Sequence, residues 1–296
     1  MKRLRLQFCL LRLSRSVRST FNRPSNPFSH TNIILVILLY ANYSNINGLS
    51  RKALAPSSGI LLIYRGKAMC YKVSCPAVLI DFDGPICGLF EQELGTQSLI
   101  ETLAQLGGMH GFGIEIMSND PFEMWRLMRE QCKGIEQSEL DRDIEREIRL
   151  FEVDCSNDVV LRDGTQEALG KFSEAGCHMF VVSNNSRESV NQVLESFGIK
   201  NYFQSVSART PSVPFMNLKP HPRLLREALE SVGAAADDSV MIGDQITDVE
   251  ASSALGIRAV GLSGKQGRCI SLLDAGAIFC GQDWGQITPS VISLLQ

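Results

Sequence analysis

The sequence predicts an α/β fold, a parallel sheet with a small helical domain inserted after its first strand. Three observations predict it. From residue 77 onward, short apolar runs alternate with amphipathic stretches, the spacing that parallel strands need for their crossover helices. Gly176, Gly198, Gly233, Gly256 and Gly276 each fall just after such a stretch, where helices end in a left-handed residue. Between Gly84 and Leu161 the alternation stops, and only helical patterns remain.

Taken in order, the expected strands are Ala77–Ile80, His178–Val182, a weaker Ser205–Ser207, Val240–Ile242, Arg258–Val260 and Ala277–Phe279. Their branched and aromatic residues suit a pleated, buried surface. Helices are expected between them near Gln166–Ala175, Glu188–Phe197, Pro222–Val232, Val249–Leu255 and Cys269–Asp274. Within the insert, helical patterns cover Gln97–Leu106, Pro121–Cys132 and Glu136–Phe151. Asn119 or Asp120 can cap the second, with Pro121 inside its start. Ile135, Leu140, Ile144, Ile148 and Phe151 give the third an apolar stripe. The competing picture is a set of ordinary crossover helices in one larger sheet. The expected division is residues 69–92 and 158–296 for the core, 93–157 for the insert, and 1–68 outside the fold.

The first 68 residues differ in composition. They hold eleven Lys or Arg and no Asp or Glu, leaving 18 basic against 32 acidic residues in the rest, a net of −14. An acidic body without a basic stripe argues against nucleic acid as the main partner. The nine-residue apolar run Ile33–Ala41 falls short of the ~20 residues that span a bilayer. Residues 1–68 are open to three readings: a targeting segment, a translation start placed before Met69, or an extension of other purpose. Nine cysteines show no Cys-x-x-Cys pair, and four separated histidines give no zinc spacing. Cys177 and Cys280 lie in apolar runs and read as small buried hydrophobes. A reduced, cytoplasmic chain is expected, or an organelle-targeted or secreted one if the N-terminal segment is a genuine signal.

Acidic groups at strand ends carry the chemical signal. Val78-Leu79-Ile80 runs straight into Asp81, Phe82, Asp83 and Gly84, and packing does not explain two acids there, since unpaired buried charge is costly. Val240-Met241-Ile242 runs likewise into Gly243, Asp244 and, four residues later, Asp248. Ser183 and Asn184 follow the second strand, and Lys219-Pro220 precedes a helix. Ligands of parallel sheets bind beyond these carboxyl ends. Carboxylates with a cation, a hydroxyl and a lysine can together hold a tetrahedral anion. Each residue also has a plainer role available. Asp83 can cap a turn, Asp248 can cap the following helix, Ser183 can be a turn hydroxyl, and an isolated Lys219 is ordinarily solvated. His221 is expected to shape a helix start, and Arg126 and Arg129 are weak candidates for a substrate carboxylate.

In this order the four groups resemble the haloacid-dehalogenase-like hydrolase superfamily, over about residues 77–295. Phosphoglycolate-phosphatase-like members with a helical cap are the most similar. The resemblance implies a Rossmann-like core and a Mg²⁺-dependent phosphatase acting on a small phosphorylated metabolite, phosphoglycolate-like or a sugar phosphate. It implies that Asp81 is the nucleophile, forming an aspartyl-phosphate, and that Asp83 protonates the leaving oxygen and then activates water. Ser183 and the backbone N–H of Asn184 would bind phosphoryl oxygens, and Lys219 would neutralise charge. Asp81, Asp244, Asp248 and the backbone carbonyl of Asp83 would hold the Mg²⁺. Dehalogenases of this type lack the second acid, so Asp83 favours phosphate chemistry. Pro85 departs from the Thr or Val common there, and it restricts Gly84. A sugar-phosphate mutase and a catalytically silent binding protein of the same fold are the alternatives.

Overall fold

The computed structural model describes residues 35–39, 59–64, 67–72, 76–90, 93–111, 116–131 and 135–296. Three strands come first: β1 (Leu35–Leu39), β2 (Gly59–Tyr64) and β3 (Lys67–Lys72), paired antiparallel in the order β1-β2-β3. They form a sheet of their own, and the change of charge at residue 68 falls within β3. Among the described residues, no helix is long and apolar enough to cross a membrane.

The main sheet has six parallel strands: β4 (Ala77–Ile80), β5 (His178–Ser186), β6 (Phe203–Arg209), β7 (Ser239–Gly243), β8 (Arg258–Leu262) and β9 (Phe279–Gly281). Their order is β6-β5-β4-β7-β8-β9, so the chain starts at the centre and builds outward on both sides. Ile80 stands opposite Val181 on one side and Ile242 on the other. The strand order therefore reverses at β4, and a crevice opens at its carboxyl end.

Alternate side chains go to opposite faces, and both faces are covered. Val78, Ile80, Met179, Val181, Val240 and Ile242 pack with helices α4 (Thr165–Glu174), α5 (Arg187–Ser196) and α9 (Trp284–Leu294). Ala77, Leu79, Phe180, Val182 and Met241 face the other layer, including Leu224, Leu225 and Leu229 of α6 (Arg223–Glu230). Burial on both sides is why these strands read as unbroken apolar runs. Helices α7 (Ile246–Ser253) and α8 (Gln266–Asp274) complete the core.

The insert holds α1 (Glu93–Met109), α2 (Pro121–Gln131) and α3 (Ile135–Cys155). Leu99, Ile100, Leu103, Met124, Trp125, Met128, Leu140, Ile144 and Ile148 give it an apolar cluster distinct from the two sheet faces. Leu218, just ahead of Lys219, joins that cluster and ties the insert to a site loop. Asp120 caps α2 by accepting the N–H groups of Phe122 (2.8 Å) and Glu123 (2.9 Å).

Several boundaries differ from expectation. The last strand lies at Phe279–Gly281 rather than Ala277–Phe279: its register with β8 runs from Val260 opposite Phe279 to Leu262 opposite Gly281, with Ile278 N–H donating to Ala259 O just ahead of it. Helix α9 has no counterpart in the sequence-based elements; Pro289 inside it removes a backbone donor and hides the pattern. Cys280 is not a plain buried hydrophobe: it forms a disulfide with Cys269, joining α8 to β9 across a Cα–Cα distance of 5.6 Å. Opposing placement, not spacing in sequence, makes that bond. Cys177 is buried and free as expected, and burial pushes its thiol up to about 11.

Candidate active site

Asp81 leaves β4 with its N–H donating to Ile242 O at 2.9 Å, so it stands between the ends of β5 and β7. Its Oδ1 accepts from Phe82 N–H (2.7 Å) and meets Lys219 Nζ at 2.7 Å. Lys219 Nζ also donates to Asp248 Oδ1 (2.6 Å) and to Val182 O (3.0 Å). All three ammonium protons are thus spent inside a buried site. Burial works against that charge, but Asp248 and Asp81 outweigh it and hold the Lys219 pKa above its usual value. The lysine expected to be solvated on its sequence alone is one of the most enclosed charges here.

Asn184 holds that lysine in place. Its Nδ2 donates to Lys219 O (3.0 Å) and its Oδ1 accepts from Lys219 N–H (2.8 Å), beside the cis Lys219–Pro220 peptide. His221 shapes the start of the next helix, its Nδ1 accepting from Arg223 N–H at 3.2 Å.

The structure brings Asp81, Asp244 and Asp248 together: each offers one carboxylate oxygen, and these oxygens lie within 4.8 Å of one another. The N-cap of the following helix is Gln245 rather than Asp248; Asp248 sits at the third helical position and completes a capping box with it, so it helps cap the helix while joining the carboxylate cluster. Burial first, then the Asp81 charge, raises Asp248 to about 7, with Lys219 opposing. The same two causes raise Asp244 to about 6, against Arg268. Asp244 Oδ2 accepts from Arg268 Nη1 at 2.7 Å, while its Oδ1 is buried without a hydrogen-bond partner. A buried carboxylate oxygen with no donor, in an all-oxygen set, suits a hard divalent cation such as Mg²⁺.

Two glycines make this crowding possible. A Cβ on Gly84, whose φ is +100°, would lie 2.5 Å from Asp244 Cγ. One on Gly243 would lie 2.2 Å from Asp248 Oδ2. Only residues without side chains admit the carboxylates at those points.

Asp83 is not one of the three grouped carboxylates. Its Oδ1 accepts from the N–H groups of Leu89 (2.6 Å) and Phe90 (3.4 Å). Burial of the carboxyl group raises it to about 8, with Asp81 and Asp244 adding to the rise and the Leu89 amide opposing it. A carboxyl group raised in this way suits a general acid, which needs a proton to give.

Ser183 lies within β5, which runs on to Ser186 rather than stopping at Val182, and it is fully buried where the register with β6 shifts. Its hydroxyl donates to Asn185 Oδ1 (2.7 Å) and accepts from Asn185 N–H (3.1 Å). Behind it sits an ion cluster that the sequence elements did not include. Arg209, fully buried, donates to Glu145 Oε1 (2.6 Å), Glu152 Oε2 (2.6 Å) and Asn184 O (2.9 Å). The available signal was Glu145 and Glu152 two turns apart on α3, beside the apolar stripe of Ile144, Ile148 and Phe151.

Other contributors had no local signal. Arg162 clamps the loop after β4 through Gly84 O (3.0 Å) and Gln282 O (2.8 Å), and Trp284 Nε1 donates to Pro85 O (3.0 Å). Pro85 is thereby pinned as well as rigid. Arg126 and Arg129, the weak candidates for a substrate carboxylate, are paired instead. Arg126 binds Glu123 at 2.6 Å and Glu130, and Arg129 binds Asp141.

A family model described as haloacid dehalogenase-like hydrolase matches residues 78–262. The phosphoglycolate phosphatase of Colwellia psychrerythraea is 32% identical over 104 residues, 35% of this chain and 45% of that protein. That of Nitrosococcus oceani is 25% identical over 198 residues, 63% of this chain and 83% of that protein. For several curated relatives the chain spans only about half of their length, 45%, 60% and 51% in three phosphoglycolate phosphatases. The crystal structure of a predicted phosphatase from Clostridium acetobutylicum is similar in fold, with TM-score 0.59 at 18% identity, covering 74% of this chain and 100% of that one.

Proposed function

The chain belongs to the haloacid dehalogenase-like hydrolase family, and from that premise we propose that it is a Mg²⁺-dependent phosphatase of small phosphorylated metabolites. The observation that carries this reading is the convergence of Asp81, Asp244 and Asp248 around one buried lysine, Lys219, at the switch point of the sheet. Nothing in the packing of a sheet requires four ionisable groups there.

Asp81 attacks phosphorus and forms an aspartyl-phosphate, which divides one difficult displacement into two easier ones. Asp83 gives its proton to the leaving oxygen. It then takes one from the water that opens the intermediate, as its raised pKa allows. Lys219 neutralises charge between nucleophile and phosphate. Ser183 and the backbone N–H of Asn184 bind phosphoryl oxygens. Asp81, Asp244, Asp248 and the backbone carbonyl of Asp83 would hold Mg²⁺. Bound there, the ion would offset the clustered carboxylates and polarise a phosphoryl oxygen. The insert, residues 93–157, is the part we assign to substrate choice. The relatives named phosphoglycolate phosphatase favour a phosphoglycolate-like acid as the substrate class, with a sugar phosphate as the alternative to be screened beside it.

The test is a screen of phosphorylated metabolites with and without Mg²⁺, measuring phosphate release, with Asp81→Asn as control. Metal-dependent release by the native chain and none by the variant is expected. Folded native protein that releases no phosphate from any of them would overturn the assignment.

A further inference from the structure

The hydroxyl of Ser183 has no proton to spare. The Asn185 amide faces Glu152 with Nδ2, at 3.1 Å from Glu152 Oε1, and a carboxylate ion-paired to Arg209 only accepts. Asn185 must then turn Oδ1 toward Ser183, and the 2.7 Å contact requires Ser183 to be the donor. Glu152 cannot rotate out of this arrangement freely. Its Oε2 accepts from Arg209 Nη2 (2.6 Å) and Ser186 N–H (2.8 Å), and Arg209 is in turn fixed by Glu145 and by Asn184 O. Ser183, Asn185, Ser186, Glu145, Glu152 and Arg209 are all buried.

We propose that Asn185, oriented by Glu152 of helix α3, is a positioning residue that holds the Ser183 proton away from the phosphate site. Phosphate binding then has to break the Ser183–Asn185 bond. The inference rests on the assignment of Ser183 to phosphate binding made above. A phosphoryl oxygen is the stronger acceptor, so the exchange can occur, but it costs a neutral hydrogen bond. Glu145 and Glu152 belong to the insert, whereas Ser183, Asn185 and Arg209 belong to the sheet. The seating of α3 therefore sets how firmly the proton is held.

The network predicts a gain of affinity, which loss of structure would not produce. Asn185→Ala removes the competing acceptor and leaves Glu152 paired with Arg209. Glu152→Gln supplies an amide donor to Asn185, lets that side chain flip, and presents Nδ2 to Ser183, which frees the hydroxyl proton. Both variants are expected to bind inorganic phosphate roughly threefold to tenfold more tightly, as loss of one neutral hydrogen bond implies. Binding is read by titration calorimetry with Mg²⁺ present, and folding by thermal melting. In a Ser183→Ala background neither substitution should have any effect. If Ser183→Ala weakens phosphate binding but Asn185→Ala and Glu152→Gln leave it unchanged or weaker, the proposal is overturned and the phosphate assignment stands. If Ser183→Ala leaves phosphate binding unchanged, the assignment of Ser183 fails and the proposal with it.

Discussion

Lys219 Nζ stands 2.7 Å from Asp81 Oδ1 and reaches Asp248 Oδ1 at 2.6 Å on its other side, so one cation serves two buried carboxylates. The shared lysine fixes the spacing of groups that arrive from the ends of different strands. It also makes the site vulnerable, because removing it leaves two acids buried without a counter-charge.

Lys219→Met is accordingly expected to destabilise the fold by about 3–5 kcal/mol, the cost of stripping one partner from a buried ion pair. Urea unfolding checks this. Adding Asp248→Asn should restore part of the loss, since one orphaned acid disappears, yet the double variant should stay inactive. A Lys219→Met protein as stable as the native one would contradict the shared-cation arrangement.

Asp81→Asn should separate chemistry from folding. The amide keeps an acceptor for Phe82 N–H but cannot serve as the nucleophile. Phosphate release should fall by about 10³-fold or more, while melting changes little. Substantial residual turnover would move the nucleophile elsewhere.

Much of this was legible in the sequence, for identifiable reasons. The central strands read clearly because both faces of β4, β5 and β7 are buried, leaving no polar alternation to confuse them. Asp81, Asp83, Ser183, Lys219, Asp244 and Asp248 stood out because each follows such a run or sits in a short polar motif. The glycines expected after five helices all take positive φ. What did not read was long-range pairing. Arg268 on Asp244, Arg162 on Gly84 O and Arg209 on two glutamates of α3 depend on how distant elements dock. An exposed and a fully enclosed arginine look alike in a sequence, and Arg126 and Arg209 show both outcomes.

The Cys269–Cys280 bond offers an independent check on the outer edge of the sheet. Closing a loop of this length constrains the unfolded chain by about 3 kcal/mol in the chain-entropy model. Cys280→Ser should lower unfolding free energy by about that amount in non-reducing buffer and have no effect under strong reductant. Equal stabilities in both buffers would mean that the two thiols are not bonded in solution.

Metal dependence can be tested apart from turnover, because an ion that binds only the folded chain must stabilise it. At a hundredfold excess over its dissociation constant, Mg²⁺ should add about 2.7 kcal/mol, and a chelator should remove it. Gly84→Ala shows whether that effect runs through the Asp244 carboxylate. The new methyl would lie 2.5 Å from Asp244 Cγ, and the left-handed backbone itself costs about 1–2 kcal/mol. Asp244 cannot simply step aside, since Arg268 holds one oxygen and the other is buried. The variant should therefore melt clearly lower than the native chain and, more tellingly, lose its Mg²⁺-induced rise in melting temperature. A variant that keeps the full rise would place the ion away from Asp244, and the three-carboxylate site would be wrong.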